Sequence, residues 1–231
     1  MLTSLTDHNR FFVVRPPNGR YGRRFAHGEC VAPVNTGEFP ECPMCNVPIG
    51  MRSWLPPRTV RLSSMQQKKV ADFIWGAGFS FLVSERVAKA CVTKNIKGMH
   101  VDVEKVQVLP PSPGNAKTEA LSGKSLPNYY SVSIHWPGAS LDKSQTQVTK
   151  TGVTCSYCQS GHLLKIDKIA IDLESWDGSH IFYLRELPGF IIASQEFKLN
   201  ADEFSWSGLH FIPVEVVIYN EMTGIAIQKI D

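Results

Sequence analysis

The 231-residue sequence predicts an α+β fold of mostly β content, arranged as two similar strand–helix–strand halves. Three observations support this prediction. Short segments that alternate between apolar and polar residues, as half-buried strands do, recur along the chain. Turns rich in proline and glycine separate them. Finally, one strand–helix–strand segment resembles another that lies 110 residues further along the chain.

Composition limits the classes of protein that the chain can belong to. Hydrophobic residues make up 43% of the sequence and the net charge is only +3, with no long run of lysine or arginine, so the sequence does not favour a phosphate-binding surface. We find neither a secretory signal nor an apolar run of the roughly 18 residues that a membrane helix needs. We therefore expect a cytoplasmic protein without a membrane partner, whose six cysteines act as thiols or metal ligands before disulfides.

The first predicted half covers residues 1–109. Short strands and loops are expected to about residue 57, a strand at 59–64, and a short helix within 65–75, where Met65, Val70, Phe73 and Ile74 are the apolar positions.

The strand–helix–strand unit of this half follows. The apolar run 79–83 predicts a buried strand, and Ser84 is expected to cap a helix that carries Glu85 in its first turn. Gly98 is placed to end that helix region. The alternating segment 99–109 predicts a strand, with a bulge near Glu104 where the alternation slips by one residue.

The second predicted half covers residues 129–231, after a proline-, serine- and glycine-rich linker or mobile loop at 110–128. Strands are expected at 129–136 and at 190–193, and a strand or a strand pair at 163–173. Further strands at 209–220 and 224–230 end the chain.

The two halves can be aligned in one register. When Ser84 is placed on Ser194, Gly98 falls on Gly208 and His100 on His210, with no gap over 27 residues. This agreement favours an internal duplication, although two unrelated strand–helix–strand units can also look alike by chance.

Two Cys-x-x-Cys motifs lie far apart in the chain. Cys42 and Cys45 form the first, Cys155 and Cys158 the second, and the two are offset by 113 residues. Two sulfur atoms at this spacing can bind one metal ion from a tight turn, and two such knuckles complete a tetrahedral zinc site. Four thiolates leave no open coordination position, so we expect a structural Zn²⁺ that joins the two halves.

Other uses of the cysteines remain open at this point. The pairs can form disulfides, act in redox chemistry or stay unligated, and His27, Cys30 or His162 can replace a ligand. Cys91 lies on the apolar face of the predicted helix, which favours a role in the core.

Motifs for catalysis are absent from the sequence. We find no nucleophile elbow, phosphate-binding loop, dinucleotide fingerprint or zinc-protease motif. The acidic residues Asp167, Asp172, Glu174 and Asp177 can in principle bind a metal, but surface carboxylates on strands and turns are commoner. The sequence therefore favours a binding or scaffold protein, without catalytic residues, over an enzyme.

The combination of motifs resembles a known family. Two distant Cys-x-x-Cys knuckles, with "ADFIW", "FLVSERV" and "GMHV" between them and "IFYLRELPGFIIASQEF" and "GLHFIPVEV" after the second, are similar to the double-CXXCG immunity proteins of bacterial polymorphic-toxin systems. The resemblance extends from about residue 11 to 217 and is strongest at 71–101 and 153–212. The chain departs from the family name in having Asn46 and Gln159, not glycine, after the second cysteine of each knuckle.

The resemblance implies an intracellular immunity protein that binds a cognate secreted or contact-delivered toxin domain. It would act by covering the toxin's active site or substrate surface, and zinc would hold the two halves of the inhibitor together. Interfaces are enriched in aromatic and arginine anchors. The candidate toxin-binding residues are Tyr129, Tyr130, Trp136, Trp176 and Arg185.

Two hypotheses from other classes remain. One is a zinc-containing nucleic-acid-binding regulator, which the small net charge does not favour. The other is a metal-dependent enzyme, which would need an open metal site.

Overall fold

The computed structural model describes residues 10–17, 25–63, 70–77, 81–112, 126–152, 154–159, 161–222 and 224–227. Within these ranges the chain is mostly β, with two α-helices, as the sequence predicts. The helices are α1 (Glu85–Thr93) and α2 (Gln195–Glu203). The strands are β1 (Phe11–Arg15), β2 (Gly28–Cys30), β3 (Thr59–Leu62), β4 (Phe73–Trp75), β5 (Phe81–Ser84), β6 (Met99–Leu109), β7 (Tyr129–Leu141), β8 (Gln147–Thr151), β9 (His162–Lys168), β10 (Ile171–Asp172), β11 (Ile181–Leu184), β12 (Leu187–Ser194), β13 (His210–Pro213), β14 (Val217–Asn220) and β15 (Gly224–Ile227).

One large sheet and one small sheet organise these strands. The main path of the large sheet runs β13-β1-β12-β11-β7-β6-β3-β2, and the small sheet runs β15-β14-β9-β8. Strand β7 is the longest and connects the large sheet, because its first residues pair with β5 and β6 and its last residues with β11 and β10. No helix in the described part of the chain is long and apolar enough to cross a membrane.

Strand β1 crosses between the two predicted halves. It comes from the first half, yet it lies between β12 and β13 of the second half and pairs antiparallel with both. Its sequence, "FFVVR", is apolar on both faces, which is typical of a strand buried on both sides of a sheet. Most of the predicted linker, residues 113–125, lies outside the described residues.

The two serines of the aligned units both lie where a strand meets a helix. Ser84 ends β5 before α1, and Ser194 ends β12 before α2. The backbone N–H of Ser84 donates to the carbonyl of Asp72, the residue just before β4, at 2.8 Å. The backbone N–H of Ser194 donates to the carbonyl of His180, the residue just before β11, also at 2.8 Å. Each helix is nine residues long. The predicted position of the serines is therefore confirmed.

The loop that follows α1 contacts β11, and the loop that follows α2 contacts β4. Gly98 and Gly208 have φ of +87° and +92°, a region that glycine occupies without strain. A Cβ on Gly98 would lie 1.9 Å from the carbonyl oxygen of Ile181, and one on Gly208 would lie 2.4 Å from that of Phe73. Each unit is thus packed directly against the backbone of the other.

The largest core cluster joins the two strand–helix units. It combines buried side chains from α1, from α2 and from the strands, and these include Phe73, Val87, Cys91, Phe197 and Trp206. The predicted core role of Cys91 is confirmed.

Three details of the sequence prediction are corrected. Residues 73–75 form a strand and not the end of a helix, because Phe73 pairs with Val83 in the hairpin β4–β5; residues 64–69 lie outside the described part. The stretch 209–220 is broken at Pro213 by a 3-10 turn, so that β13 joins the large sheet and β14 the small one. Ser84 has no side-chain capping bond. The bulge in β6 is confirmed by a register shift between Val101 and Lys105.

Candidate metal centre

Each Cys-x-x-Cys knuckle is a tight turn closed by one backbone hydrogen bond. The N–H of Asn46 donates to the carbonyl of Cys42 at 2.8 Å, and the N–H of Gln159 donates to that of Cys155 at 2.9 Å. Asn46 and Gln159 have φ of 56° and 53°, so both occupy the left-handed region. They therefore take the conformation that a glycine after the second cysteine would adopt most easily.

Different elements carry the two knuckles. The first, residues 42–45, lies at the tip of a small hairpin in the loop between β2 and β3. Glu41 and Pro48 form an isolated bridge there, and the N–H of Ile49 donates to the carbonyl of Pro40 at 2.9 Å. The second, residues 155–158, lies in the connection between the paired strands β8 and β9.

The fold brings the two knuckles face to face. The sulfur atoms of Cys42 and Cys155 are 3.8 Å apart, and those of Cys45 and Cys158 are 3.7 Å apart. All four sulfur atoms lie within 4.8 Å of one another. A tetrahedron with metal–sulfur bonds of about 2.3 Å has edges of about 3.8 Å. The four cysteines therefore form a group that can hold one metal ion.

The pKa values of these thiols depend on neighbouring N–H groups and sulfur atoms. Backbone N–H groups of Cys158 and Tyr157 lower the pKa of Cys155 to about 6. The backbone N–H of Val47 lowers the pKa of Cys45, but burial and the other three sulfur atoms outweigh it and raise that pKa to about 12. Four thiolates cannot form together this close unless a cation binds, so metal binding would release protons.

Two cationic side chains hold the second knuckle. Lys150 donates from Nζ to the carbonyls of Gln159 and Glu186 at 2.9 and 2.8 Å. Arg185 donates from Nη1 to the carbonyl of Tyr157 at 3.0 Å. Burial holds the pKa of Lys150 below its usual value, although the charges of Glu186 and Cys158 oppose this shift. An anionic metal–thiolate group would therefore have a lysine beside it.

Sequence reasoning missed Lys150, although the sequence contains a signal for it. Strand β8 alternates between exposed and half-buried residues, and Lys150 occupies the half-buried side together with Val148. A lysine on the inner side of a strand that leads directly to a cysteine knuckle is a candidate for charge compensation.

The alternative ligands do not join the group. Within the described residues, the four cysteines are the only cluster of three or more potential ligands. His162 lies 2.9 Å from Glu221, and Cys30 and His27 lie outside the cluster. The acidic candidates have local roles, since Asp167 pairs with Lys165 at 2.8 Å and Asp172 accepts from the N–H of Glu174.

The predicted toxin-binding residues lie in varied surroundings. Tyr129 is 1% exposed and donates its hydroxyl to the carbonyl of Ala71, which makes it a core residue and not a surface anchor. Trp136 packs beside the cysteines and Arg185 holds Tyr157, so both support the second knuckle. Trp176 packs edge-on against Phe11. Tyr130 is half-buried on β7. A role in toxin binding for these residues other than Tyr129 remains a prediction.

No protein-family model matches this chain, and no curated protein matches it.

Proposed function

We propose that this chain is an immunity protein that binds a cognate antibacterial toxin domain and blocks the toxin's active site or substrate surface. One observation carries the proposal: two knuckles offset by 113 residues meet in one four-sulfur group, in a chain whose strand–helix segments resemble the double-CXXCG immunity family. A binding protein of this kind acts by steric exclusion and needs no catalytic residue of its own.

The metal of this proposal is zinc. Thiolate ligands favour Zn²⁺, and the sulfur–sulfur separations of 3.7 and 3.8 Å suit its tetrahedral geometry. Four cysteine ligands would complete the coordination, so the ion would connect the loop between β2 and β3 with the turn between β8 and β9. Cys42, Cys45, Cys155 and Cys158 would hold it, and its role would be structural.

We further propose that the two halves arose by duplication of one unit. In each unit a serine ends a strand and a nine-residue helix follows. A glycine with positive φ then lies in the loop that leads to the next strand. The contacts are reciprocal, because the N–H of Phe73 donates to the carbonyl of Ser207 and that of Ile181 to the carbonyl of Lys97. Ser207 and Lys97 lie one residue before Gly208 and Gly98.

Co-expression tests the immunity function. The toxin domain encoded by the neighbouring gene should stop bacterial growth alone and should be harmless when this chain is co-expressed. Purified toxin and immunity protein should form a stable complex in calorimetry. Growth arrest that this chain does not relieve would overturn the proposal. A salt-dependent shift of DNA in place of toxin binding would favour the nucleic-acid-binding alternative.

Metal analysis of cysteine variants tests the structural role of zinc. Protein purified without chelator should contain one zinc per chain, and Cys42→Ser or Cys158→Ser should lose the metal and unfold at a lower temperature. Cys30→Ser is the matched control, because Cys30 lies outside the four-sulfur group. Equal zinc content in Cys158→Ser and Cys30→Ser would contradict the assignment.

A further inference from the structure

An open groove lies beside the first knuckle. It has a volume of about 580 Å³ and is lined from three directions. The knuckle loop contributes Phe39, Met51 and Arg52, the end of β4 contributes Trp75, and the β11–β12 hairpin contributes Tyr183. We name this surface the knuckle groove.

Its apolar walls are fixed by contacts within the chain. The indole N–H of Trp75 donates to the carbonyl of Gly208 at 2.7 Å, and the ring packs against Phe81 at 5.0 Å. Phe39 is 37% exposed at the rim. Gly189 at the opposite side leaves space, since a Cβ there would meet no atom within 4 Å. A preformed apolar groove of this kind can accept an aromatic or aliphatic side chain.

The charge of the groove has one sign. Among the lining residues that the structure describes, Arg52 is the one charged side chain apart from the histidine, and none is a carboxylate. His27 also lines it, and burial lowers the pKa of this histidine although the charge of Glu29 raises it, so the neutral imidazole is favoured near pH 7.

One buried hydrogen-bond donor of the groove has no partner within the described part of the chain. The guanidinium of Arg52 stacks over Phe39 at 4.2 Å and donates from Nη1 to Thr36, but its buried Nε has no partner among the residues that the structure describes. Tyr183 is 4% exposed and also lines the groove. A buried donor without a partner costs free energy, which an acceptor supplied by a ligand would recover.

We propose that the knuckle groove binds an acidic segment of a partner protein, in which an aspartate or glutamate carboxylate accepts from Arg52 and a neighbouring apolar side chain packs against Phe39 and Trp75. An arginine fork with aromatic walls is typical of protein interfaces. A nucleic acid would need several cations along its backbone, and the described lining of this groove supplies one, Arg52. The partner is the toxin domain, and this part of the inference rests on the proposed function.

The groove also depends on the first knuckle. Phe39 precedes the knuckle and Arg52 follows it, and the hairpin between them closes tightly, because a Cβ on Gly50 would lie 2.6 Å from Pro40. A metal ion bound by Cys42 and Cys45 would hold this wall in place. Metal at the four-sulfur group would therefore order the binding surface as well as the fold.

A peptide experiment tests the groove without the toxin. The metal-loaded full chain is titrated with the capped peptide Gly-Phe-Asp-Gly and with its Asn counterpart, while NMR follows the indole N–H of Trp75. We expect the Asp peptide to bind at least about tenfold more tightly, and Arg52→Gln to abolish this preference. Arg61→Gln removes the same charge from β3, outside the groove, and should preserve it. Equal affinity for the two peptides, or a preference that survives Arg52→Gln, would overturn the proposal that the groove binds a carboxylate through Arg52.

A toxin experiment tests the partner. Calorimetry with the neighbouring gene's toxin domain should show weakening of about tenfold to a hundredfold for Arg52→Gln and for Phe39→Ala, with Arg61→Gln unchanged. Thermal melting and zinc content should confirm that the variants are folded. Unchanged toxin affinity in both groove variants would show that the toxin binds elsewhere, and the proposed immunity function would not be affected. No binding by the wild type, with the peptide preference intact, would overturn immunity and leave the groove as a carboxylate-binding site.

Discussion

The two strand–helix junctions share a backbone arrangement and differ in their side-chain chemistry. At the first, Ser84 donates its hydroxyl to the carboxylate of Asp72 at 2.9 Å. At the second, the Ser194 oxygen accepts from the N–H of Phe197 at 3.3 Å and caps α2. Both serines are nearly fully buried, so each hydroxyl needs a partner, and the neighbouring strand decides which partner it finds.

The contacts between strand and helix at the two junctions place the acidic residue on opposite elements. In the first, Asp72 before the strand pairs with Arg86 on the helix. In the second, His180 before the strand lies 3.2 Å from Glu196 on the helix. Arg86 and Glu196 each lie two residues after their serine. The backbone contacts therefore define the junction, while the acidic side chain can lie before the strand or on the helix.

The largest expected effect tests whether the two glycines are equivalent. Gly98→Ala and Gly208→Ala should each lower the free energy of unfolding by about 3 kcal/mol, because the new Cβ meets a backbone carbonyl at a left-handed φ. Urea denaturation monitored by tryptophan fluorescence measures the effect.

Gly178→Ala is the matched control for the glycine variants. Gly178 has φ of +81°, but a Cβ there would meet no atom within 4 Å, so only the conformational cost of about 1 kcal/mol remains. If Gly98→Ala and Gly208→Ala cost no more than this control, the close approach of the two units would be disproved. A large effect at one glycine alone would break the equivalence of the junctions.

A smaller effect tests the first ion pair. Asp72 also accepts from the N–H and hydroxyl of Ser207, so Asp72→Asn should lower the free energy of unfolding by about 2 kcal/mol, a value reduced for the half-exposed Arg86. His180→Ala should cost about 1 kcal/mol, because it loses chiefly the bond from the N–H of Lys97. Equal costs would contradict the difference between the two junctions.

The pH dependence of the Asp72 variant has a definite sign. Burial raises the pKa of Asp72, but hydrogen bonds from Arg86, Ser207 and Ser84 outweigh it and hold the pKa below its usual value. The contribution of a carboxylate with a lowered pKa is present above its unfolded value and is lost as the pH falls through its folded value. The difference in unfolding free energy between wild type and Asp72→Asn should therefore shrink below about pH 4. A difference that stays constant to pH 2.5 in acid titrations would contradict this.

The smallest effect separates the roles of the two serines. Ser84→Ala and Ser194→Ala should each cost about 1 kcal/mol. Combined with Asp72→Asn in double-mutant cycles, Ser84 should show a coupling of about 1 kcal/mol and Ser194 a coupling within about 0.5 kcal/mol of zero. Coupling of Ser194 to Asp72 would refute the separate roles.

The parts of the fold that the sequence predicted are those whose signals are local. Strand β6 alternates over its whole length, and its bulge shows as a one-residue slip. Ser84 is the N-cap residue of α1, as predicted, but its side chain makes no capping bond, because the competing acceptor Asp72 lies 12 residues earlier. Residues 73–75 were assigned to a helix, because the pairing with β5 that makes them a strand is not visible in apolar spacing alone.

The amino-acid sequence alone determined the two knuckles, the strand–helix junctions and the glycine at position 98, since each depends on residues within one turn or one strand. Tertiary structure decided that sulfur atoms 113 residues apart lie 3.8 Å from each other, and that β1 joins the second half. It also placed Lys150 beside the second knuckle and formed the groove around Arg52. The physical reason is that such distances depend on how strands from remote parts of the chain pair and pack, which local propensity does not encode.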